Sequence, residues 1–524
     1  MRSVIQTLYP WATSTSQIWC AGLSPKGHAV PTSKCCNCSS PTVGNGVGSS
    51  ACLASTVTPL PSSDLANAYN RCTDGKALPP HTVWGLRVSV VRLARLHHFA
   101  MTHTLDPASE KVADLADGEV DTDLVSQRRK QWRTLVKRAS VAYVLSRICV
   151  IAGAGIVAAQ RVVQDRAAGI GRPRNALGRI NEVLTSWDGK WYFRIVRLSY
   201  PTHIPPHVTW DDVQARTAFF PMFPTLARWL DQVLPGGDVF AALVMNFALG
   251  AIAVYLVGQL TRTMFDDRVA YRAMLLMAFF PGSFVLSFTY SEATLLVFAA
   301  ACLLCLQRRH WVAAGTLAAL GAATRPNGIA LIAACAVAAV MALRERREWR
   351  SLAAPLLAPL GFIGFHLFLW RRTGEKLAWF RTQREAWAEG TSFGFTAIHK
   401  TINAFARPMS SPTDLITAVS FLAMVVLLYM TWKKRLPLPI LTYSLVVLVL
   451  MLAPSTVTAR PRFLYTAFPL LISAAAWIRD LEIAHEHDSE ELSSGHELWT
   501  VVLALCAAGI VTLTGLYGVF GAIP

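Results

Sequence analysis

Long apolar runs recur along this chain from residue 139 to residue 519, and they limit what it can fold into more than any other feature. A run of roughly 20 apolar residues, wound as an α-helix, crosses the hydrocarbon core of a bilayer with its backbone polar groups satisfied internally. Runs lie at about 139–160, 239–260, 270–288, 292–306, 311–323, 329–343, 351–370, 413–431, 436–453, 463–478 and 498–519. The expected fold is therefore all-α, a polytopic transmembrane helical bundle of about eleven spans. Several runs are shorter than a full span, which predicts broken or tilted helices. A transmembrane β-barrel would show short alternating segments instead. Charged residues make up 15% of the chain, against about 25% in an ordinary soluble domain. The net charge of +17 gathers beside the apolar runs. There it sets topology and meets anionic headgroups, so no nucleic-acid partner is expected.

Two regions are expected. Residues 1–126 are rich in Ser, Thr, Pro, Gly and Asn and read as a poorly ordered N-terminal extension; residues 127–524 form the integral-membrane domain. Residues 84–101 could form a short basic amphipathic helix. Residues 1–30 lack a continuous apolar core, so no signal peptide is expected. Cys20, Cys35, Cys36, Cys38, Cys52 and Cys72 fall in the extension; Cys149, Cys302, Cys305, Cys335 and Cys506 fall in apolar runs, where a thiol behaves as a small hydrophobe. No second Cys/His pair stands at zinc-site spacing beside Cys35-Cys36-Asn37-Cys38, and no metal or other cofactor is expected.

Dense Lys and Arg at Gln127–Arg138, ahead of the first run, place the N-terminus in the cytoplasm. Alternation then puts Arg262 and Arg268, Arg308 and Arg309, Arg344 to Arg350, and Lys433 to Arg435 on the same side, as the positive-inside rule requires. The turn after residue 479 is acidic, and His485, Glu486, His487 and Asp488 there read as a solvated loop. The opposite face receives residues 161–238, Tyr290-Ser291-Glu292, Thr324–Gly328, 371–412 and Pro454–Arg462. Nearly every unusual polar residue of the membrane region lies there, which points to an extracytoplasmic active site.

The most specific phrase on that face is Trp187-Asp188-Gly189-Lys190-Trp191-Tyr192. If helical, it puts Asp188, Trp191, Tyr192 and Ile195 on one side and Lys190, Arg194 and Arg197 on another. A carboxylate beside aromatic rings can take a proton while the rings stack on a sugar. The plainer reading is an interfacial helix capped by Asp188. Phe219-Phe220-Pro221-Met222-Phe223-Pro224 must break any long helix. Ser291 and Glu292 suit a helix N-terminus, though Glu292 could equally orient a basic group. Arg325, in Thr324-Arg325-Pro326-Asn327-Gly328, interrupts an apolar run and needs an anion, either Glu292 or a lipid phosphate. Arg460 and Arg462 flank Pro461 and could hold a phosphate or anchor to headgroups. The loop 371–412 carries Arg381, Gln383, Arg384, Glu385, Trp387 and Glu389 and is long enough to help bind an acceptor, but it has no motif with a readable mechanism. No P-loop, dinucleotide fingerprint, zinc-protease motif or nucleophile elbow occurs in a suitable context. A sugar-transferring enzyme without a nucleotide site would draw on a lipid-linked donor.

Trp187–Tyr192, with Ile195 and Tyr200-Pro201, resembles the first-loop motif of the PIG-V mannosyltransferase family, the GPI-anchor enzymes that add the second mannose, and their bacterial relatives. Phe219–Pro224, Tyr290-Ser291-Glu292, Thr324–Gly328 and Pro461-Arg462-Phe463 are similar to later motifs of that family, in order, over roughly residues 140–480. Ser199 stands where Gly is expected, and Phe223 where Tyr is common. The resemblance implies a GT-C fold, a polyprenyl-phosphate-mannose donor and inverting transfer. It implies Asp188 as the essential carboxylate, with Trp187, Trp191, Tyr192, Glu292, Arg325, Asn327, Arg460 and Arg462 about the substrates. It also implies a lipid or glycan acceptor outside the cytoplasm, at the cell membrane (the endoplasmic reticulum in a eukaryote). The alternative is a transporter or flippase of a lipid-linked sugar, which has no need of the Asp188 carboxylate and for which no internal repeat is evident.

Overall fold

The structure is a computed structural model. It describes residues 120–170, 175–408, 410–488 and 494–519; the side chains of 120–124 and 484–496 lie outside that description. The expectations for residues 1–119, including the cysteine cluster and the 84–101 helix, and for the side chains of His485 to Asp488, fall outside the described residues.

Chain order runs α1 (Val120–Ala167), α2 (Ala176–Leu184), α3 (Asp188–Leu198), α4 (Met222–Asp231), α5 (Gly237–Arg262), α6 (Asp267–Phe279), α7 (Glu292–Gln307), α8 (Trp311–Ala322) and α9 (Ile329–Arg346). It continues with α10 (Ala353–Leu357), α11 (Leu360–Thr373), α12 (Ala378–Ala386), α13 (Phe395–Ala406), α14 (Pro412–Lys434), α15 (Leu438–Leu452), α16 (Pro461–Thr466), α17 (Pro469–Asp488) and α18 (Ser494–Gly518). The described residues form no strand, only one isolated bridge between Thr391 and Pro454. The fold is all-α and polytopic, as the apolar runs require.

Six described segments are long and apolar enough to cross a membrane: Val125–Ala167, Gly237–Arg262, Pro326–Arg346, Trp349–Thr373, Pro412–Lys434 and Glu497–Gly518. α7, α8 and α15 are apolar but shorter. The expected runs 270–288 and 463–478 are each interrupted, so the figure of about eleven full spans is not reached. Phe280 turns extended ahead of Pro281, which ends α6. Pro469 restarts the helix after Ala467 breaks the turn of α16.

These interruptions position the site. Irregular backbone at membrane depth persists only where protein or a polar cavity satisfies it. The segments 280–291, 323–328 and 453–460 are irregular or 3-10 backbone between apolar helices. Asn246, fully buried midway along α5, uses its amide nitrogen to serve one of them, donating to the carbonyls of Phe288 and Tyr290 (2.9 Å to the latter). The large core beneath is built from α1, α5 to α9 and α14 to α18. Two smaller clusters seat α3: Tyr192, Phe193 and Val196 pack with Phe223 of α4, and Ile195 and Tyr200 pack with Phe220 and Phe365.

Candidate active site

The segment after α2 reverses direction at Trp187, which adopts φ +56°, and α3 begins at Asp188. A non-glycine residue in that region is strained and must be held by its surroundings. The Trp187 indole donates to the Tyr517 carbonyl of α18 at 3.1 Å. Gly189 follows because a Cβ there would strike the Thr289 hydroxyl, so this turn rests directly on the break after α6.

At the first position of α3, the Asp188 carboxylate accepts from Arg462 Nη1 at 2.7 Å. The same nitrogen lies 3.8 Å from Glu292 Oε1, and Glu292 in turn pairs with Arg325. Two carboxylates and two guanidiniums thus alternate in the order Asp188, Arg462, Glu292, Arg325. Asp188 is the open end, with 25% of its side chain exposed against 1% for Glu292. Burial opposes the charge on Arg462, yet Asp188 and Glu292 together hold its pKa above the ordinary arginine value, so it stays charged. Its guanidinium also lies over the Phe463 ring, 4.6 Å from the centroid. Arg325 Nε, Arg462 Nε and Glu292 Oε2 are buried without a hydrogen-bond partner among the described residues, as is the Tyr290 hydroxyl. Unpaired polar atoms gathered beside one partly open carboxylate suit a polar ligand.

Tyr192 is buried one turn along α3, and its hydroxyl donates to Ser291 Oγ at 2.7 Å. Burial, with the Asp188 and Glu292 carboxylates, holds this phenol protonated against the opposing pull of Arg325. Ser291 makes no side-chain cap of α7, so its role is this link to α3 rather than capping. Trp191 joins an aromatic group of its own. It stacks on Phe219 (5.8 Å between centroids), meets Trp387 edge-on (5.5 Å) and carries Arg194 over its ring at 4.3 Å. Asn327 donates to Thr466 Oγ1 at 3.3 Å, tying the break after α8 to α16.

Arg460 parts from this group. Its backbone is extended while Arg462 already lies in α16, so the two side chains diverge around Pro461. Fully buried, Arg460 donates to the Thr413 carbonyl (3.1 Å) and to Thr417 Oγ1 of α14. Asn246 and Trp387 had no place among the expected site residues. A lone amide inside the apolar run 239–260 was a usable signal for Asn246; Trp387 lay in a loop with none.

Beside α3 is a cavity of about 640 Å³ lined by Ile195, Tyr200, Pro224, Arg228, Ala323, Gly364 and Phe365, among others. It begins two turns along the α3 face that starts with Asp188, about 10 Å away at 1.5 Å per residue. Among the described residues no group of three or more His, Cys, Asp or Glu side chains is placed to hold a metal ion.

Residues 220–370 match the family described as dolichyl-phosphate-mannose-protein mannosyltransferase. The matched stretch runs from the turn before α4 into α11. It contains Glu292, Arg325 and Asn327 but neither Asp188 nor Arg462. Over that stretch the chain is similar to membrane glycosyltransferases, and the match does not reach the PIG-V assignment. No curated protein sequence matches this chain. Among solved structures, the Archaeoglobus fulgidus oligosaccharyltransferase tethered with an acceptor peptide is similar at 15% identity and a TM-score of 0.34, covering 63% of this chain and 51% of that one. ArnT from Cupriavidus metallidurans bound to undecaprenyl phosphate is similar at 13% identity and a TM-score of 0.36, covering 63% of this chain and 73% of that one. The chain thus spans about half the length of the archaeal enzyme. At these TM-scores the likeness does not by itself define a common fold.

Proposed function

We propose that this protein is an integral-membrane, GT-C-like glycosyltransferase that moves mannose, with inversion, from a polyprenyl-phosphate-mannose donor to a lipid or glycan acceptor. The observation that carries the reading is the partly open Asp188 carboxylate, held at 2.7 Å by a buried Arg462 where three backbone breaks of a membrane protein converge. In the proposed step the acceptor hydroxyl attacks the anomeric carbon. Asp188 takes the hydroxyl proton, and the bond from that carbon to the phosphate oxygen breaks. Polyprenyl phosphate leaves with the bonding pair, and the charge of Arg462, backed by Arg325, stabilises it. Trp187 and Tyr192 set the geometry of α3 about Asp188, while Trp191 contributes an aromatic wall. The cavity beside α3, lined in part by Ile195, Tyr200, Phe365 and Phe368, would take the prenyl chain of the donor. Arg460, turned toward α14, holds its loop in place.

The basic residues Arg128 to Arg138, in the N-terminal half of α1, favour an N-terminus in the cytoplasm and α3 on the outer face. An impermeant thiol reagent should therefore label Thr202→Cys, at an exposed position after α3, on intact cells. The function itself is tested by transfer of radiolabelled mannose from a polyprenyl phosphate with purified protein and candidate acceptors. Transfer that requires Asp188 supports the reading, and binding of the donor without turnover supports the transporter instead.

A further inference from the structure

The segment 387–406 is joined to the loop that leads into Arg462. Glu389 accepts from the backbone N–H of Ser455 (3.1 Å) and of Thr456 (3.2 Å) and from Thr456 Oγ1 (2.5 Å). Ser455 N donates to the Gly390 carbonyl at 3.0 Å, while Ser392 N and Gly394 N donate to the carbonyls of Ala453 and Leu452 at 2.7 and 2.8 Å. Lys400 Nζ, from α13, reaches the Thr456 carbonyl at 3.3 Å. At its other end, Trp387 packs on Trp191 and on Phe219. One strap thus spans from the aromatic wall of α3 to the irregular backbone four residues before Arg460.

The far side of α13 is apolar and uncovered. Phe395, Ile398, Ile402 and Phe405 recur at helical spacing on one face; Phe405 is 68% exposed, and Phe393 just before them is 84% exposed. So large an apolar stripe is not left in water by a folded protein. The bilayer is the occupant that fits. α13 is tethered at both ends to membrane-crossing segments, Trp349–Thr373 before it and Pro412–Lys434 after it. It packs along α14, whose Leu415, Val419 and Leu422 are themselves uncovered on a membrane-crossing helix. An amphipathic helix so placed lies in the interface with its apolar face among the acyl chains. We propose that α13 is a membrane-docked helix and that, through Glu389 and Lys400, it sets the 453–458 loop and hence the placement of Arg462. Glu389 is then a positioning residue for the reaction proposed above.

The test reads backbone exchange, not turnover, so it stands apart from the glycosyltransferase reading; absence of mannose transfer would count against that reading alone. Full-length protein is placed in phospholipid nanodiscs whose lipids carry a photoactivatable group on the acyl chain close to the headgroup. Crosslinks on peptides spanning 393–405 are expected. Labelling confined to the crossing helices overturns the docking. In the same nanodiscs Glu389→Ala should speed exchange of the Ser455 and Thr456 amides on the order of ten- to a hundredfold, the factor for losing a charge-assisted hydrogen bond. Glu389→Gln, which keeps one acceptor oxygen, should recover part of it. The double variant Ile402→Ser and Phe405→Ser should speed the same amides while exchange in α5 stays as in the unaltered protein. Unchanged exchange at 455 and 456 in Glu389→Ala, or in the double variant, overturns the coupling.

Discussion

Asp188 and Arg462 stand 274 residues apart in the chain and 2.7 Å apart in space. Their contact joins the start of α3 to the short α16 that restarts the chain after the irregular segment 453–460. Arg462 is thereby held by two carboxylates, Asp188 directly and Glu292 at 3.8 Å, and only Asp188 is open to an incoming hydroxyl. Arg462 both orients the base and carries the charge that faces a leaving phosphate.

Replacing the base while keeping its shape separates these roles. Asp188→Asn retains an acceptor oxygen for Arg462 and loses the ability to take a proton. Mannose transfer should fall by roughly 10²-fold or more. The amount of folded protein in the membrane should stay near that of the unaltered chain, because the carboxylate is partly exposed. Initial rates scored against protein level check both halves; undiminished turnover would remove Asp188 from the chemistry.

Much of this arrangement was readable before the structure, and the reasons differ by element. Apolar length is a local property, so the crossing helices followed from the runs. Thr324–Gly328 marked a real break because proline acts on its immediate neighbours, whereas Pro281 went unread inside the expected run 270–288. Asp188 stood out because few residue types fit a carboxylate among aromatics. Which arginine meets it was not readable: Arg460 and Arg462 differ only by the backbone on either side of Pro461. The pairing of Arg325 with Glu292 likewise needed the fold. Glu389 was silent because its partners lie 66 and 67 residues further on.

The buried Glu292–Arg325 pair gives a coupled prediction. Glu292→Ala or Arg325→Ala alone leaves a buried charge uncompensated and should destabilise the protein by about 3–5 kcal/mol. The double variant should recover part of that loss, and not all, since Arg462 also faces Glu292. Thermal unfolding in detergent measures the cycle. Additive losses would show that the pair is not coupled. A raised donor KM in Arg325→Lys, with stability kept, would assign Arg325 to the phosphate as well.

Asn246 offers a test inside the membrane. Asn246→Leu keeps the branched shape and the number of side-chain heavy atoms but leaves the Phe288 and Tyr290 carbonyls without their donor. A cost of about 1–3 kcal/mol is expected for the unsatisfied groups. Asn246→Asp should be worse than Leu, because a carboxylate sets an acceptor against two acceptors. Both variants should lower kcat as well, since Ser291 and Glu292 follow directly after this turn. Equal stability for Leu and Asp would show that the amide is not holding the break.

The cavity beside α3 can be filled without touching the fold. Gly364 lies in α11, a Cβ built there meets nothing within 4 Å, and the residue lines the cavity. Gly364→Leu should therefore fold normally, and should be slightly favoured by helix propensity, at about 1 kcal/mol for losing a helical glycine. If the prenyl chain of the donor occupies this space, the variant should raise the apparent KM for a long-chain donor by roughly tenfold or more, the effect of about 1.4 kcal/mol of lost binding. A short-chain donor that does not reach Gly364 should be little affected, and kcat with it should be unchanged. Initial rates with both donors decide the matter. An equal KM for the long-chain donor in the two proteins would place the chain elsewhere, and a raised KM for the acceptor alone would give the cavity to the acceptor lipid.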